Sequence, residues 1–271
     1  TPLYSSAASD VYKRQPSWIP VACELQSLMA NPRVALFVTC LVDQFFPQVG
    51  ESVVRILRRA GADVAFNPAQ TCCGQPAFNT GYRREAREVA TRFLDLFDEA
   101  DYVVAPSGSC VSMVRVFYPE LFADDPRHLT KVEKLQNRLF EFSEFLVNVL
   151  DVQDVGASFP HRVAYHDSCH LLRELGVEEP PRRLIRAVRG AKLLELNDHQ
   201  LCCGFGGTFS VKFPEVSVAM GEDKLRAAVT SGAEFLVAND ASCLMHLAGL
   251  IRRQEVPLRT LHLAELLVQQ E

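Results

Sequence analysis

Long apolar runs are missing from this chain. None approaches the eighteen or so residues of a membrane-spanning helix, and the strongest patches, such as "VALFVT" at 34–39, are strand-length. Any membrane contact is therefore expected to go through a partner. An excess of positive charge is missing too: 28 Lys and Arg stand against 33 Asp and Glu, for a net charge of −5. That argues against nucleic acid or an anionic membrane as the main partner. Dinucleotide and flavin motifs are absent. "GFGG" at 204–207 is glycine-rich but has no G-x-G-x-x-G form. No Ser-His-Asp or kinase signature occurs. No secretory signal is visible, so a reducing cytoplasm is the expected compartment. Nine cysteines in 271 residues are too few for a disulfide scaffold and too regularly placed for ordinary core use. In a reducing compartment they read as metal-binding or catalytic.

Hydrophobic residues make up 48% of the chain and charged residues 23%, the balance of a globular protein. The opening "TPLYSSAASDVYKRQ" has no hydrophobic period and resembles translated adapter read-through. The expectation is a native start at Met29, with residues 1–28 a non-native extension that carries Cys23.

The remaining eight cysteines form two matched sets: Cys40, Cys72, Cys73 and Cys110, then Cys169, Cys202, Cys203 and Cys243. The intervals run 32 and 37 residues in the first set, 33 and 40 in the second, and each Cys-Cys step is followed by a glycine, Gly74 or Gly204. "RVALFVTC" aligns with "RVAYHDSC", and "DYVVAPSGSCVSMV" with "EFLVANDASCLMHL". This is an internal duplication.

Each copy alternates short apolar runs with amphipathic stretches, which predicts strands, crossover helices and a parallel sheet. Strands are expected at "RVALFVT", "ADVAFNP" and "DYVVAPS", then near 162–167, 191–196 and 234–239, with a last strand and helix in 256–271. "YRREAREVATRFLDLFDEA" reads as a helix with Tyr82, Ala86, Val89, Phe93, Leu96 and Phe97 on its apolar stripe. "HLTKVEKLQNRLFEFSEFLVNVL" (128–150) reads as one long joining helix. The fold class is α/β: two tandem, pseudo-twofold related three-layer units with mainly parallel sheets. The expected divisions are 29–127 for the first unit, 128–155 for the connecting helix and 156–271 for the second.

Every one of the eight cysteines lies at a strand's carboxyl end or in the loop beyond one, the edge where open parallel sheets bind ligands. Four convergent thiolates suit zinc or an iron–sulfur cluster. Zinc motifs space their paired cysteines two to four residues apart. A cluster has several metal atoms, so adjacent thiolates can ligate different irons, and the following glycine lets backbone amides approach the sulfurs. The residues favour one iron–sulfur cluster per unit, with zinc the rival.

"TCCGQPAFNTGY", "VAPSGSC", "YHDSCHLLRELG", "LCCGFGGTFSVK" and "NDASCLMH" resemble the cysteine-rich CCG-domain family over about residues 33–268. That family includes the B component of heterodisulfide reductase, the iron–sulfur subunits of glycolate oxidase and anaerobic glycerol-3-phosphate dehydrogenase, and a lactate-utilisation branch, to which the likeness is greatest. The resemblance implies an electron-transfer subunit, with [4Fe–4S] clusters, of an oxidoreductase complex that converts L-lactate to pyruvate. Its implied partners are the other lactate utilisation proteins, a cluster-containing subunit and a third. The implied ligands are the two cysteine quartets. The heterodisulfide reductase component ends each unit with C-x-x-C and so holds a non-cubane cluster on five cysteines. Here the first position of that pair is Ser107 in one unit and Asp240 in the other, leaving four cysteines and Asp240 as a possible extra ligand. The alternatives are a heterodisulfide-reductase-B-like or glycolate-oxidase-like redox subunit, or a zinc-binding structural protein.

His166, Asp167, Ser168 and His170 crowd around Cys169, and His166, Asp167 and His170 are the candidates for catalysis or proton relay. The first unit reads "FVTC" there and lacks them. Lys212 is expected to be solvated, and His246 and His262 to sit in helices as structural residues.

Overall fold

Two four-stranded parallel sheets organise the computed structural model, which describes residues 31–270. The expected non-native segment 1–28, which carries Cys23, and the expected start at Met29 lie outside the described residues. In the first sheet β1 (Arg33–Leu36), β2 (Asp63–Phe66), β3 (Tyr102–Ala105) and β4 (Leu139–Glu141) run in the order β2-β1-β3-β4. In the second, β5 (Arg162–Tyr165), β6 (Lys192–Leu194), β7 (Phe235–Ala238) and β8 (Arg259–His262) run in the order β6-β5-β7-β8. The registers echo each other: Val34 pairs with Val64 and Tyr102, and Val163 with Leu193 and Phe235. The strands are three or four residues long, and the central strand β7 is covered on both faces and buried at every position. The strand order reverses between β1 and β3, and again between β5 and β7. These switch points open a crevice at the carboxyl ends of the strands.

Three apolar cores fill the layers. The central one draws on both sheets, on the helices Pro47–Arg59, Glu179–Ala187 and Leu263–Leu267, and on the turn Phe145–Val149. Outer cores cover the far face of each sheet. The repeats therefore share their main core, and both fall within one compact unit.

Two local expectations are corrected. The segment 128–150 is not one helix. The helix Pro126–Gln136 stops, β4 joins β3 with Leu139 opposite Val103, and Phe142–Glu144 then begins a new helical turn. Glu141 and Glu144 form a capping box at that restart. The apolar spacing of Leu135, Leu139, Phe142 and Phe145 fits a helical period across the break, which hides the strand. Likewise His262 ends β8 and caps the helix Leu263–Leu267 with Glu265, so it is not inside a helix. His246 does lie within the helix Ala241–Gln254. On the helix Arg83–Phe97 the buried stripe is Ala86, Ala90, Phe93, Leu94 and Phe97, and Tyr82 is exposed.

Candidate metal centre

All eight cysteines line one cavity of about 180 Å³. Strand ends place them. Cys40 opens the helix Cys40–Phe45 just past β1, and Cys110 lies in the helix Gly108–Ser112 just past β3. Cys169 follows β5, and Cys243 sits in the first turn of the helix after β7. The Cys-Cys-Gly loops follow β2 and β6. The two quartets thus open onto a common space rather than onto separate faces.

Gly74 and Gly204 explain the third letter of each motif. Their φ angles are +86° and +89°, a region side chains disfavour. A Cβ on Gly204 would meet the Ser217 carbonyl oxygen at 2.3 Å. The freed amides turn back on sulfur: Gly74 N–H donates to Cys72 Sγ at 3.3 Å, and Gly204 N–H to Cys202 Sγ at 3.4 Å. Cys40 Sγ lies 3.8 Å from Cys72 Sγ. Hydrogen bonds from the Cys40 and Cys73 thiols, then from the Gly74 amide, hold the Cys72 thiol down to about 3. The same set from Cys169, Cys203 and Gly204 holds Cys202 down to about 2. Cys40, Cys169 and Cys203 are pushed up first by sharing protons with these anions, and Cys73 first by its hydrogen bond with Cys110 and then by Cys72, with burial adding to each effect. Cys203 brings Cys243 down to about 6. Each quartet is a thiol–thiolate cluster, the state from which soft metals are bound.

A single tetrahedral zinc ion requires its sulfurs roughly 3.8 Å apart. Among the described residues, no three of the first repeat's cysteines lie within 4.8 Å of one another; the one such group is His166, Cys203 and Cys243. The wider spread of each full quartet, with an amide aimed at its sulfur, fits a multi-iron cluster.

The other candidates separate clearly. His170 lines the cavity, with Nδ1 3.5 Å from Cys169 Sγ. Asp167 is held in a buried bidentate pair with Arg182, at 2.7 and 2.6 Å. His166 is fully buried and neither ring nitrogen has a hydrogen-bond partner. Ser168 lines the cavity, and its buried hydroxyl is also unpartnered. Lys212 is exposed. Ser107 and Asp240 meet. Ser107 Oγ donates to Asp240 Oδ1 at 2.7 Å, joined by Ser109 N–H at 3.1 Å and Ser109 Oγ at 2.7 Å. Asp240 Oδ2 is buried without a partner.

Sequence reasoning missed a polar layer that joins the repeats. Asn239 Nδ2 donates to Glu141 Oε1 and Ser143 Oγ, both at 2.9 Å, and Tyr165 OH donates to Asn239 Oδ1 at 3.0 Å. Burial pushes the Glu141 carboxyl up to about 7. His262 accepts from Ala264 N–H at Nδ1, so its Nε2–H faces the carbonyls of Pro106 and Asn239, at 3.2 and 2.9 Å. Burial lowers its pKa. Lys224 was missed too. It is fully buried, donates to the His199 carbonyl at 2.8 Å, and has its pKa lowered by burial against the pull of Asp167 and the second quartet's sulfurs. Setting "LFEFSEFLV" beside "TLHLAELLV" would have revealed Glu141 and His262 as equivalent strand ends.

Residues 34–115 and 163–248 each match the cysteine-rich domain of the CCG family. Lactate utilization protein A of Exiguobacterium sp. (strain ATCC BAA-1283 / AT1b) is 48% identical over 238 residues, covering 87% of this chain and 97% of its own. Lactate utilization protein A of Bacillus subtilis (strain 168) is 44% identical over 235 residues, covering 87% and 98%. A crystal structure of a hypothetical protein from Helicobacter pylori shares the fold, with a TM-score of 0.64 at 11% identity. It is matched over 90% of this chain, which spans about half of that longer protein (52%). The duplicated cysteine pattern, the paired parallel sheets and these likenesses agree: the chain belongs to the cysteine-rich CCG-domain family, alongside the lactate utilization A proteins.

Proposed function

We propose that this protein is an iron–sulfur electron-transfer subunit of a cytoplasmic lactate-utilisation complex that oxidises L-lactate to pyruvate. One [4Fe–4S] cluster would be held by Cys40, Cys72, Cys73 and Cys110, and a second by Cys169, Cys202, Cys203 and Cys243. Bound clusters supply one-electron acceptors and donors. The observation that carries the reading is the convergence of all eight cysteines on one cavity. The relatives' name supplies the substrate, and the other lactate utilisation proteins are the proposed partners. The chain's own residues have definable tasks. The Gly74 and Gly204 amides stabilise negative charge on sulfur. The serine and aspartate at positions 107 and 240 bond to each other and so tie the two sites together. His170, on the cavity wall beside Cys169, is the catalytic candidate placed to exchange a proton there.

The 3.8 Å approach of Cys40 and Cys72 favours the second reading, a zinc-stabilised structural protein. Anaerobic purification separates the two. Brown protein with about four iron and four sulfide per repeat supports the cluster reading. Stoichiometric zinc without iron would end it.

A further inference from the structure

The two quartets have the same ligands but different backing. Strand alignment sets Phe37 against His166. The helices Arg83–Phe97 and Pro214–Thr230 bury the same positions in the same order when Ala86 is set against Ser217. That places Phe93 against Lys224. In the first repeat Phe37 and Phe93 meet edge to face at 4.8 Å, in one apolar core with Cys73 and Cys110. In the second repeat the same two places hold an imidazole and an ammonium, both fully buried.

We propose that His166 and Lys224 make the second quartet the higher-potential of the two redox sites, so that an electron held by the chain rests there in preference to the first. This rests on the iron–sulfur reading above. A neutral imidazole carries one N–H, and burying it without an acceptor is costly. Neither nitrogen of the His166 ring makes a hydrogen bond of ordinary geometry, and one lies within 4.8 Å of the sulfurs of Cys203 and Cys243. Those sulfurs are the acceptors within reach. Lys224 is fully buried at the place that Phe93 holds in the core with Cys73 and Cys110, with its ammonium donating to the His199 carbonyl at 2.8 Å. Its charge is within electrostatic reach of Cys202, Cys203 and Cys243. A reduced site is one electron more negative than an oxidised one, so a nearby cation or N–H donor stabilises reduction. Phenyl rings offer neither.

Two carboxylates oppose this, and Asp240 is near enough to push the Cys169 and Cys243 thiols up. In the proposed ordering the buried ammonium and imidazole outweigh them. Asp167 is bidentate to Arg182. Asp240 accepts three hydrogen bonds from Ser107 and Ser109 of the first repeat. The glycine amides contribute alike, at 3.3 and 3.4 Å, so they do not separate the sites.

The test is a potentiometric titration of the anaerobically purified full chain, followed by electron paramagnetic resonance, with iron measured first. Protein without iron refutes the underlying reading and the proposal with it. With iron present, two waves are expected. Cys202→Ser, which removes a ligand from the second site, should keep only the lower wave. Lys224→Met should move the higher wave down, with about a tenfold change in the oxidised-to-reduced ratio, or about 59 mV for one electron, and leave the lower wave in place. His166→Phe should move the same wave in the same direction by about threefold. If Lys224→Met fails to retain its iron, His166→Phe decides alone. A single wave in the parent protein, survival of the higher wave in Cys202→Ser, or variants that leave the higher wave unmoved would overturn the proposal.

Discussion

The first repeat seals its thiols behind phenyl rings, whereas the second seals equivalent thiols behind a histidine, a lysine and an aspartate–arginine pair. The difference teaches how a duplicated scaffold diverges. The cysteines and their glycines are held in common, because metal chemistry and a positive φ leave few substitutes. The layer behind them is free to change from apolar to charged, provided each buried charge finds a partner.

Four comparisons test that division, in falling order of effect. Cys72→Ser and Cys202→Ser should each cost the full iron content of one repeat, about half of the total, as read by iron and sulfide analysis. If either one empties both sites, loading of the two repeats is not independent. Next comes the charged backing. Arg182→Met leaves Asp167 buried without its partner and should destabilise the fold by about 3–5 kcal/mol in chemical denaturation. The first repeat has Val38 at the Asp167 position and no such vulnerability. Third, Gly204→Ala brings a Cβ against a backbone oxygen at 2.3 Å, and the matching clash at Gly74 is only 3.3 Å. Both need a positive φ, so Gly74→Ala should cost about 1 kcal/mol and Gly204→Ala about 3 kcal/mol, by denaturant midpoint. A smaller loss at Gly204 would mean that the loop carrying Cys202 and Cys203 can shift away from the helix Pro214–Thr230.

The fourth comparison is of pH dependence at two equivalent strand ends. Glu141 holds its proton up to about 7 in the folded chain, against an ordinary value of 4.5. Its contribution is full below pH 4.5 and falls as pH rises from there to 7. His262 is shifted down from 6.5, so its contribution is lost as pH falls below that value. The two slopes oppose each other, which makes the parent protein's net slope the smallest signal of the four. Glu141→Gln should remove the loss on raising pH, and His262→Gln the loss on lowering it, in denaturation midpoints measured from pH 4.5 to 7.5. Unchanged slopes in both variants would show that neither group titrates across folding in this range.

The duplication, the parallel sheets and the carboxyl-edge placement of the cysteines were legible because each rests on spacing along the chain. Cys40, Cys72 and Cys110 needed only counting. What stayed hidden depended on partners far apart or on an inserted residue. Arg182 gives no sign in sequence that it belongs to Asp167. Lys224 aligns with Phe93 only after a one-residue insertion between Gly204 and Ser217, relative to Gly74 and Ala86, is allowed for. β4 was masked because Leu135, Leu139, Phe142 and Phe145 satisfy a helical period as well as a helix–strand–helix path. The shared cavity was not legible at all, since nothing in either copy's sequence says which way it faces the other.

The contact between Ser107 and Asp240 bears on why both halves reside in one polypeptide. These are equivalent positions, so in a dimer of identical subunits the residue there would meet its own copy. Two aspartates would set buried like charges against each other, and two serines would leave no anionic acceptor. Gene fusion releases the pair from symmetry: one side becomes the donor and the other the acceptor, a lock and key that a homodimer has no means to encode.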